Sequence, residues 1–214
     1  MTKKKITEKA EKMQTRTSKL KWGNILVLVV VLGVLGYMTL YFFDDNSVDT
    51  TDDLSVYRGY TFTNIGDMWL FDYPYNGEVY SIPLRYHPTE LTDIPVDKKG
   101  LNELQQKDTV YITVGKNLSS YATLGGVELA KIFGKAEYGV LQKDVRGAVP
   151  YEVANVLMIT CANVSQTTGV ISMELGSQNA VFYDNGCIVA VSENDKEMLR
   201  VASKIVYVTL GVMS

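Results

Sequence analysis

The feature that most constrains this chain is an uncharged, apolar run over residues 22–43. From Ile25 onwards the run is almost wholly Leu, Val, Gly, Tyr and Phe. A helix rises about 1.5 Å per residue, so a run of this length spans roughly 30 Å, the hydrocarbon thickness of a bilayer. The sequence therefore predicts one transmembrane helix over residues 22–43. Through this helix the chain is expected to interact with the lipid bilayer.

Two other interpretations of this run are a buried core helix and a cleavable signal peptide. A buried core helix seldom extends this far without a single charge. A cleavable signal peptide has a shorter apolar core, of about 7–15 residues, and a small-x-small cleavage site. The stretch from Tyr37 to Phe43 offers no such site. We therefore interpret the run as an uncleaved signal anchor.

The charges on either side of the run predict its orientation. Residues 1–21 carry eight basic and two acidic side chains, whereas the first basic residue after the run is Arg58. Lysine and arginine close to a membrane span stay on the cytoplasmic side. We expect a single-pass protein of the cell membrane, with a basic cytoplasmic tail at residues 1–21 and its C-terminal part outside.

The remaining chain divides into an acidic stalk, residues 44–54, and an extracytoplasmic domain, residues 55–214. Residues 44–214 contain 13 basic and 22 acidic side chains. Nucleic-acid binding requires a basic face to neutralise phosphates, so this class of partner is excluded. No pattern of metal ligands or cofactor-binding residues stands out, and we predict neither a metal nor a cofactor.

The two cysteines, Cys161 and Cys187, both fall in the predicted exterior. In an oxidising compartment such a pair is expected to form a disulfide, with two free buried thiols as the alternative. Two sequons, at Asn117 and Asn163, are candidate sites of N-glycosylation.

The pattern of turns and apolar residues predicts an α+β, or mixed α/β, fold for the exterior domain. Strands at residues 55–62, 68–73 and 78–84 form an antiparallel meander, with a hairpin at Asn76-Gly77. A strand at 108–114, a helix at Tyr121–Phe133 and a strand at Val153–Thr160 form a βαβ unit. The expected inward face of that helix comprises Leu124, Val127, Leu129, Ala130 and Phe133.

The residue pattern in the C-terminal third of the sequence predicts further strands and a final helix. Strands are expected at 170–175, 179–183 and 187–191, with a second hairpin at Asn185-Gly186. Ser192 and Asp195 have the spacing of an N-terminal capping pair, so we place the helix at Glu193–Leu210. A disulfide would join the end of the strand at Val153–Thr160 to the start of the strand at 187–191.

Four pieces of this domain also carry a resemblance to a known kind of protein. They are Leu84-Arg85-Tyr86-His87-Pro88, Ile159-Thr160-Cys161, Asn185-Gly186-Cys187-Ile188-Val189 and the ending from Leu199 to Met213. Across much of residues 55–213 the chain resembles uncharacterised single-pass surface proteins of small-genome archaea. That group has no assigned activity, so the resemblance implies only the location, a two-cysteine exterior domain and the mixed fold.

These observations favour a non-enzymatic binding or structural domain that belongs to a cell-surface or envelope protein assembly. One alternative is an envelope enzyme acting on glycan or peptide through Glu90, Asp93 or Asp144 with His87. Another is a tethered solute-binding or sensing module. The aromatic meander could line a sugar-binding face, although aromatic residues are also ordinary strand formers. Self-association is left open.

Overall fold

The first part of the fold is a four-stranded antiparallel sheet. The structure is a computed structural model, which describes residues 32–33, 54–135 and 139–214. The strands lie in chain order: β1 (Leu54–Tyr57), β2 (Tyr60–Asn64), β3 (Trp69–Tyr75) and β4 (Glu78–Leu84).

Turns with positive φ define this meander. Asn76 and Gly77 have φ of 51° and 86°, the left-handed conformation that a tight hairpin turn between β3 and β4 requires. Arg58 and Gly59 adopt a similar pair of angles, 49° and 87°. The single strand expected over residues 55–62 is therefore wrong, because this second turn divides it into β1 and β2.

The second sheet is mixed and has five strands. Their spatial order is β6-β5-β7-β9-β8; β8 alone runs antiparallel, and it forms with β9 the hairpin predicted at Asn185-Gly186. The strands are β5 (Thr109–Val114), β6 (Asp144–Ala148), β7 (Thr168–Leu175), β8 (Ala180–Asp184) and β9 (Cys187–Ser192).

The return strand of the βαβ unit is not the predicted one. The strand parallel to β5 after the helix is β6, whereas Val153–Thr160 contributes only a single bridge, between Val149 and Met158. Of the apolar residues that suggested a strand, Val156, Leu157 and Met158 are about half exposed, at 45 %, 48 % and 52 %, whereas Ile159 is buried. Most of this apolar run therefore lies on the surface, and it does not form a buried strand.

Three helices accompany the two sheets in residues 54–135 and 139–214: α1 (Lys98–Leu104), α2 (Ser120–Phe133) and α3 (Asp195–Thr209). The inward face predicted for α2 is partly wrong, because Leu124 and Val127 are 39 % and 44 % exposed. Gly125 faces α3 instead. A Cβ atom added to Gly125 would lie 2.9 Å from the Cβ of Ala202 in α3. A small residue at the contact allows the two helices to approach closely.

Helix α3 lies between the two sheets and is buried around almost its whole circumference. It begins at Asp195 rather than at Glu193, because the side chain of Asn194 accepts a hydrogen bond from the Glu197 amide at 3.1 Å. The Asp195 carboxylate in turn accepts bonds from Ser119 and from the amides at the start of α2. Burial would raise the pKa of this carboxyl, but these hydrogen bonds lower it overall.

The two cysteines lie at disulfide distance, as the sequence predicted. Their Cα atoms are 5.3 Å apart, within the range that a disulfide spans. Cys187 begins β9, but Cys161 lies in a short 3-10 turn, Cys161–Asn163, and not at the end of a strand. The pair joins this turn to the face of the second sheet opposite α2, where Ile159, Val170 and Cys187 form a small second core.

The predicted fold class requires a correction at its N-terminus. No helix of the described residues has the length and apolarity needed to cross a bilayer. Over residues 54–135 and 139–214 the fold is α+β, with one antiparallel sheet, one mixed sheet and three α-helices. The segment 22–43, to which the transmembrane helix was assigned, lies outside the described residues except for Leu32 and Gly33, as do the tail at 1–21 and most of the stalk at 44–54.

Candidate binding surface

The face of the meander that points towards α3 has two different halves. In one half, the rings of Phe62 and Phe71 are 5.0 Å apart, and both contact Tyr207 of α3. In the other half, four tyrosines are only half-buried at the edge of the core. We call these four residues the tyrosine row: Tyr60, Tyr73, Tyr75 and Tyr80.

Strand register places these tyrosines side by side. Tyr73 of β3 is the direct partner of Tyr80 of β4. The ring of Tyr73 lies 6.2 Å from that of Tyr60 and 6.2 Å from that of Tyr75, with interplanar angles of 24° and 21°. Three nearly parallel rings on neighbouring strands form one aromatic surface that the packing of the sheet holds in place.

The hydroxyl groups of Tyr73 and Tyr80 remain protonated at neutral pH. Burial raises the pKa of Tyr73 above its ordinary value, and the neighbouring hydroxyls of Tyr60 and Tyr75 raise it further by a smaller amount. The hydrogen bond that the Tyr80 hydroxyl donates to Glu78, at 2.8 Å, raises the pKa of Tyr80. The row therefore offers apolar ring faces together with hydrogen-bonding hydroxyls, a combination typical of protein-binding surfaces.

Among the described residues, His87 is surrounded by core side chains and not by catalytic groups. It is 4 % exposed, and its ring packs 4.9 Å from Phe62 and 4.7 Å from Trp69. Its Nδ1 contacts the hydroxyl of Thr89 at 2.8 Å, whereas Nε2 has no hydrogen-bond partner in the part of the chain that the structure describes. Burial lowers the pKa of His87, so this side chain is a neutral member of the core.

The carboxylates considered for an enzyme are each bound by a different partner, although Arg200 contacts both Asp93 and the backbone carbonyl oxygen of Glu90. Glu90 accepts a hydrogen bond from the His87 amide at 2.8 Å. Asp93 pairs with Arg200 at 2.8 Å, and Asp144 pairs with Arg146, its neighbour on the exposed edge strand, also at 2.8 Å. Residues 54–135 and 139–214 contain no group of three side chains placed to hold a metal ion.

A buried carboxyl group on α2 was not anticipated from the sequence. Glu128 has a side chain only 11 % exposed and lies 3.8 Å from Arg85 and 2.8 Å from the hydroxyl of Ser203. Burial raises the pKa of Glu128 to about 7, against smaller opposing effects of Ser203 and Arg85. The signal available in the sequence was a lone acid among the small and apolar residues of α2.

The hydroxyl of Ser203 has one proton and two acceptors within reach, the carboxyl of Glu128 at 2.8 Å and the carbonyl oxygen of Leu199, one helical turn earlier, at 3.0 Å. A bond donated to Glu128 favours the charged carboxylate, so Ser203 lowers the pKa of Glu128. Burial has the larger effect and raises it.

Replacing Glu128 by glutamine should remove part of the pH dependence of stability. A carboxyl whose pKa is raised on folding stabilises the protein below its unfolded pKa of about 4.5, and this contribution is lost as pH rises through about 7. The wild-type free energy of unfolding should therefore fall by about 3 kcal/mol from this group between pH 4 and pH 8. Urea unfolding across this range measures it.

The matched control is Glu152→Gln, which changes an exposed glutamate and should keep the wild-type slope. Glu128→Gln should be flatter than the wild type and at least as stable at pH 8. Equal slopes for the two variants would contradict the assignment of a buried neutral carboxyl.

The two sequons lie on exposed turns. Asn117 is in the turn after β5 and Asn163 closes the 3-10 turn that contains Cys161. The Oδ1 atom of Asn163 accepts a hydrogen bond from the Thr160 amide at 2.9 Å, which leaves its nitrogen available for a glycan. Their use as glycosylation sites stays a prediction.

Comparisons with known proteins returned no match to a family model, to a curated protein or to a solved structure. The resemblance to archaeal surface proteins therefore stays a prediction from the residues that carry it.

Proposed function

We propose that this protein is a non-enzymatic, extracytoplasmic binding domain, a subunit of a cell-surface protein assembly, and that it engages a partner protein through the tyrosine row. The observation that carries the proposal is the division of the meander face. Tyr207 of α3 covers one half, and the half that bears the tyrosine row extends beyond it.

Tyrosine is well suited to such a contact. Its side chain has few rotatable bonds, so it provides large contact area at a low cost in conformational entropy. The rings of Tyr60, Tyr73 and Tyr75 already pack against one another, which further reduces the ordering required on binding. Tyrosine is also among the residues that most often dominate the energy of protein interfaces.

The cysteine pair supports an extracytoplasmic location. Cys161 and Cys187 lie at disulfide distance. Disulfides persist in oxidising compartments and are rare where the cytosolic thiol pool keeps cysteines reduced. The excess of acidic over basic residues in the sequence from residue 44 onwards fits a soluble exterior domain rather than one that binds nucleic acid.

The envelope-enzyme alternative has less support. Its carboxylates, Glu90, Asp93 and Asp144, are each engaged in a separate structural contact. His87 is buried among aromatic rings, so it cannot reach a substrate from its present position.

The experiment is protein crosslinking on intact cells with a reagent that does not cross membranes, applied to the wild type and to the double variant Tyr60→Ser/Tyr75→Ser. The variant should lose crosslinks to the partner by about tenfold or more, as truncation of interface hot spots does. The control is Tyr151→Ser, since Tyr151 is also a half-buried tyrosine but lies outside the tyrosine row, in the loop after β6. Equal losses in both variants, or in neither, would refute the assignment of the tyrosine row.

A further inference from the structure

An apolar groove runs between α2 and the edge of the second sheet. It has a volume of about 270 Å³. The groove is open because two of its lining residues, Gly126 and Gly147, have no side chain. In addition, α2 packs closely against α3 at Gly125. The lining residues are Ile112, Val114, Val145, Gly147 and Ala148 from the strands, and Thr123, Gly126, Val127 and Ala130 from α2.

Helix α2 also presents an exposed apolar ridge beside this groove. Tyr121, Leu124 and Val127 are 44 %, 39 % and 44 % exposed. Side chains three residues apart are neighbours on a helix surface, so these three form one continuous ridge. We call the ridge and the groove together the α2 patch. Its apolar character is unusual for a helix face open to water.

The charges at the two ends of α2 have opposite signs. Lys131 lies exposed in the last turn of the helix. The carboxylate of Asp195 lies at the first turn, where it binds the amides of Ser119 and Ala122 at 2.7 Å and 3.2 Å. If the α2 helix of a second copy packed antiparallel against this one, the Lys131 end of each helix would lie next to the Asp195 end of the other.

We propose that the α2 patch is an interface with a second copy of this chain, in which the two α2 helices pack antiparallel about a two-fold axis near Gly126. The ridge of each copy then fills the groove of the other. Such an interface is isologous, since the same surface is used on both copies.

The geometry of α2 explains why we propose a second copy of the chain as the partner that binds the α2 patch. Tyr121 and Lys131 lie on opposite sides of Gly126, each about 7.5 Å from it along the helix axis. The two-fold axis therefore places Lys131 of one copy beside Tyr121 and Asp195 of the other. The α2 patch contains a ridge and a groove, and the opposite charges of Lys131 and Asp195 lie at its two ends, so the surface is complementary to itself.

The test is oxidative crosslinking of full-length protein with a single added cysteine. Val127→Cys places a thiol close to the axis, and mild oxidation should give a disulfide-linked dimer on a non-reducing gel. Val156→Cys is the matched control, because Val156 is the same residue type at nearly the same exposure, 45 % against 44 %. It lies outside the α2 patch and should remain mainly monomeric.

Charge reversal tests the register independently. Lys131→Glu in the Val127→Cys background should reduce the dimer at least threefold, whereas Lys98→Glu, which changes an exposed lysine of α1, should not. Dimer yields that are the same for Val127→Cys and Val156→Cys would overturn the proposal. Crosslinking of Val127→Cys to another protein instead of to itself would also overturn it.

Discussion

Replacing Tyr207 by alanine is expected to lower the free energy of unfolding by about 3–5 kcal/mol, the cost of truncating a large aromatic side chain in a core. Tyr207 is fully buried and joins α3 to Phe62 and Phe71 of the meander. Its hydroxyl donates to the carbonyl oxygen of Tyr86 at 2.9 Å. The substitution therefore creates a cavity and leaves that oxygen without its partner.

Urea unfolding measures this effect, and two other tyrosine variants calibrate it. Tyr207→Phe keeps the ring and loses only the hydrogen bond, so it should cost about 1 kcal/mol. Tyr121→Ala removes a half-exposed ring and should cost much less than the buried truncation. A Tyr207→Ala protein that unfolds at the same urea concentration as Tyr121→Ala would show that α3 and the meander do not share a core.

Removing the cysteine pair is the second change expected to have a large effect. Cys161 and Cys187 are separated by 26 residues. For a loop of this length, chain entropy in the unfolded state gives a stabilisation of about 3–4 kcal/mol. The pair also holds the 3-10 turn against the second small core, which contains Ile159 and Val170.

The double variant Cys161→Ser/Cys187→Ser should therefore unfold at a markedly lower urea concentration than the wild type. Wild-type protein treated with a reductant should shift in the same direction, while the variant should not respond. Alkylation followed by mass spectrometry supplies the check on the bond itself. If both thiols of untreated native protein take up the alkylating reagent, the disulfide and the oxidising location are both contradicted.

Local turn chemistry could be predicted from the sequence. The pairs Asn76-Gly77 and Asn185-Gly186 adopt positive φ, and each joins two antiparallel strands. Such turns depend on two residues only, so their signal does not require knowledge of the rest of the fold.

Features that depend on tertiary packing could not be predicted in the same way. The phase of α2 was misjudged because a close contact between Gly125 and Ala202 places the larger Leu124 and Val127 outside. The prediction of the strand beside β5 was wrong because β6 contains Asp144 and Gly147, which are poor strand formers. Its pairing with β5 outweighs that local preference.

The candidate surface was visible in the sequence only as a set of aromatic residues. Nothing local separates Phe62 and Phe71, which pack against Tyr207, from Tyr60 and Tyr75. That distinction depends on how far α3 extends over the sheet. The pKa of Glu128 likewise depends on burial between elements that are distant in sequence.

The most direct measurement is the reaction of intact cells expressing the full-length protein with a membrane-impermeant lysine crosslinker. Lys98 and Lys116 are exposed, whereas Lys204 is 4 % exposed and donates to the carbonyl oxygen of Leu91 at 3.0 Å. We expect Lys98 and Lys116 to react and Lys204 to stay unmodified. The crosslinks should recur on a surface protein and weaken in Tyr60→Ser/Tyr75→Ser. Lysines that react only after the cells are broken open would contradict the account.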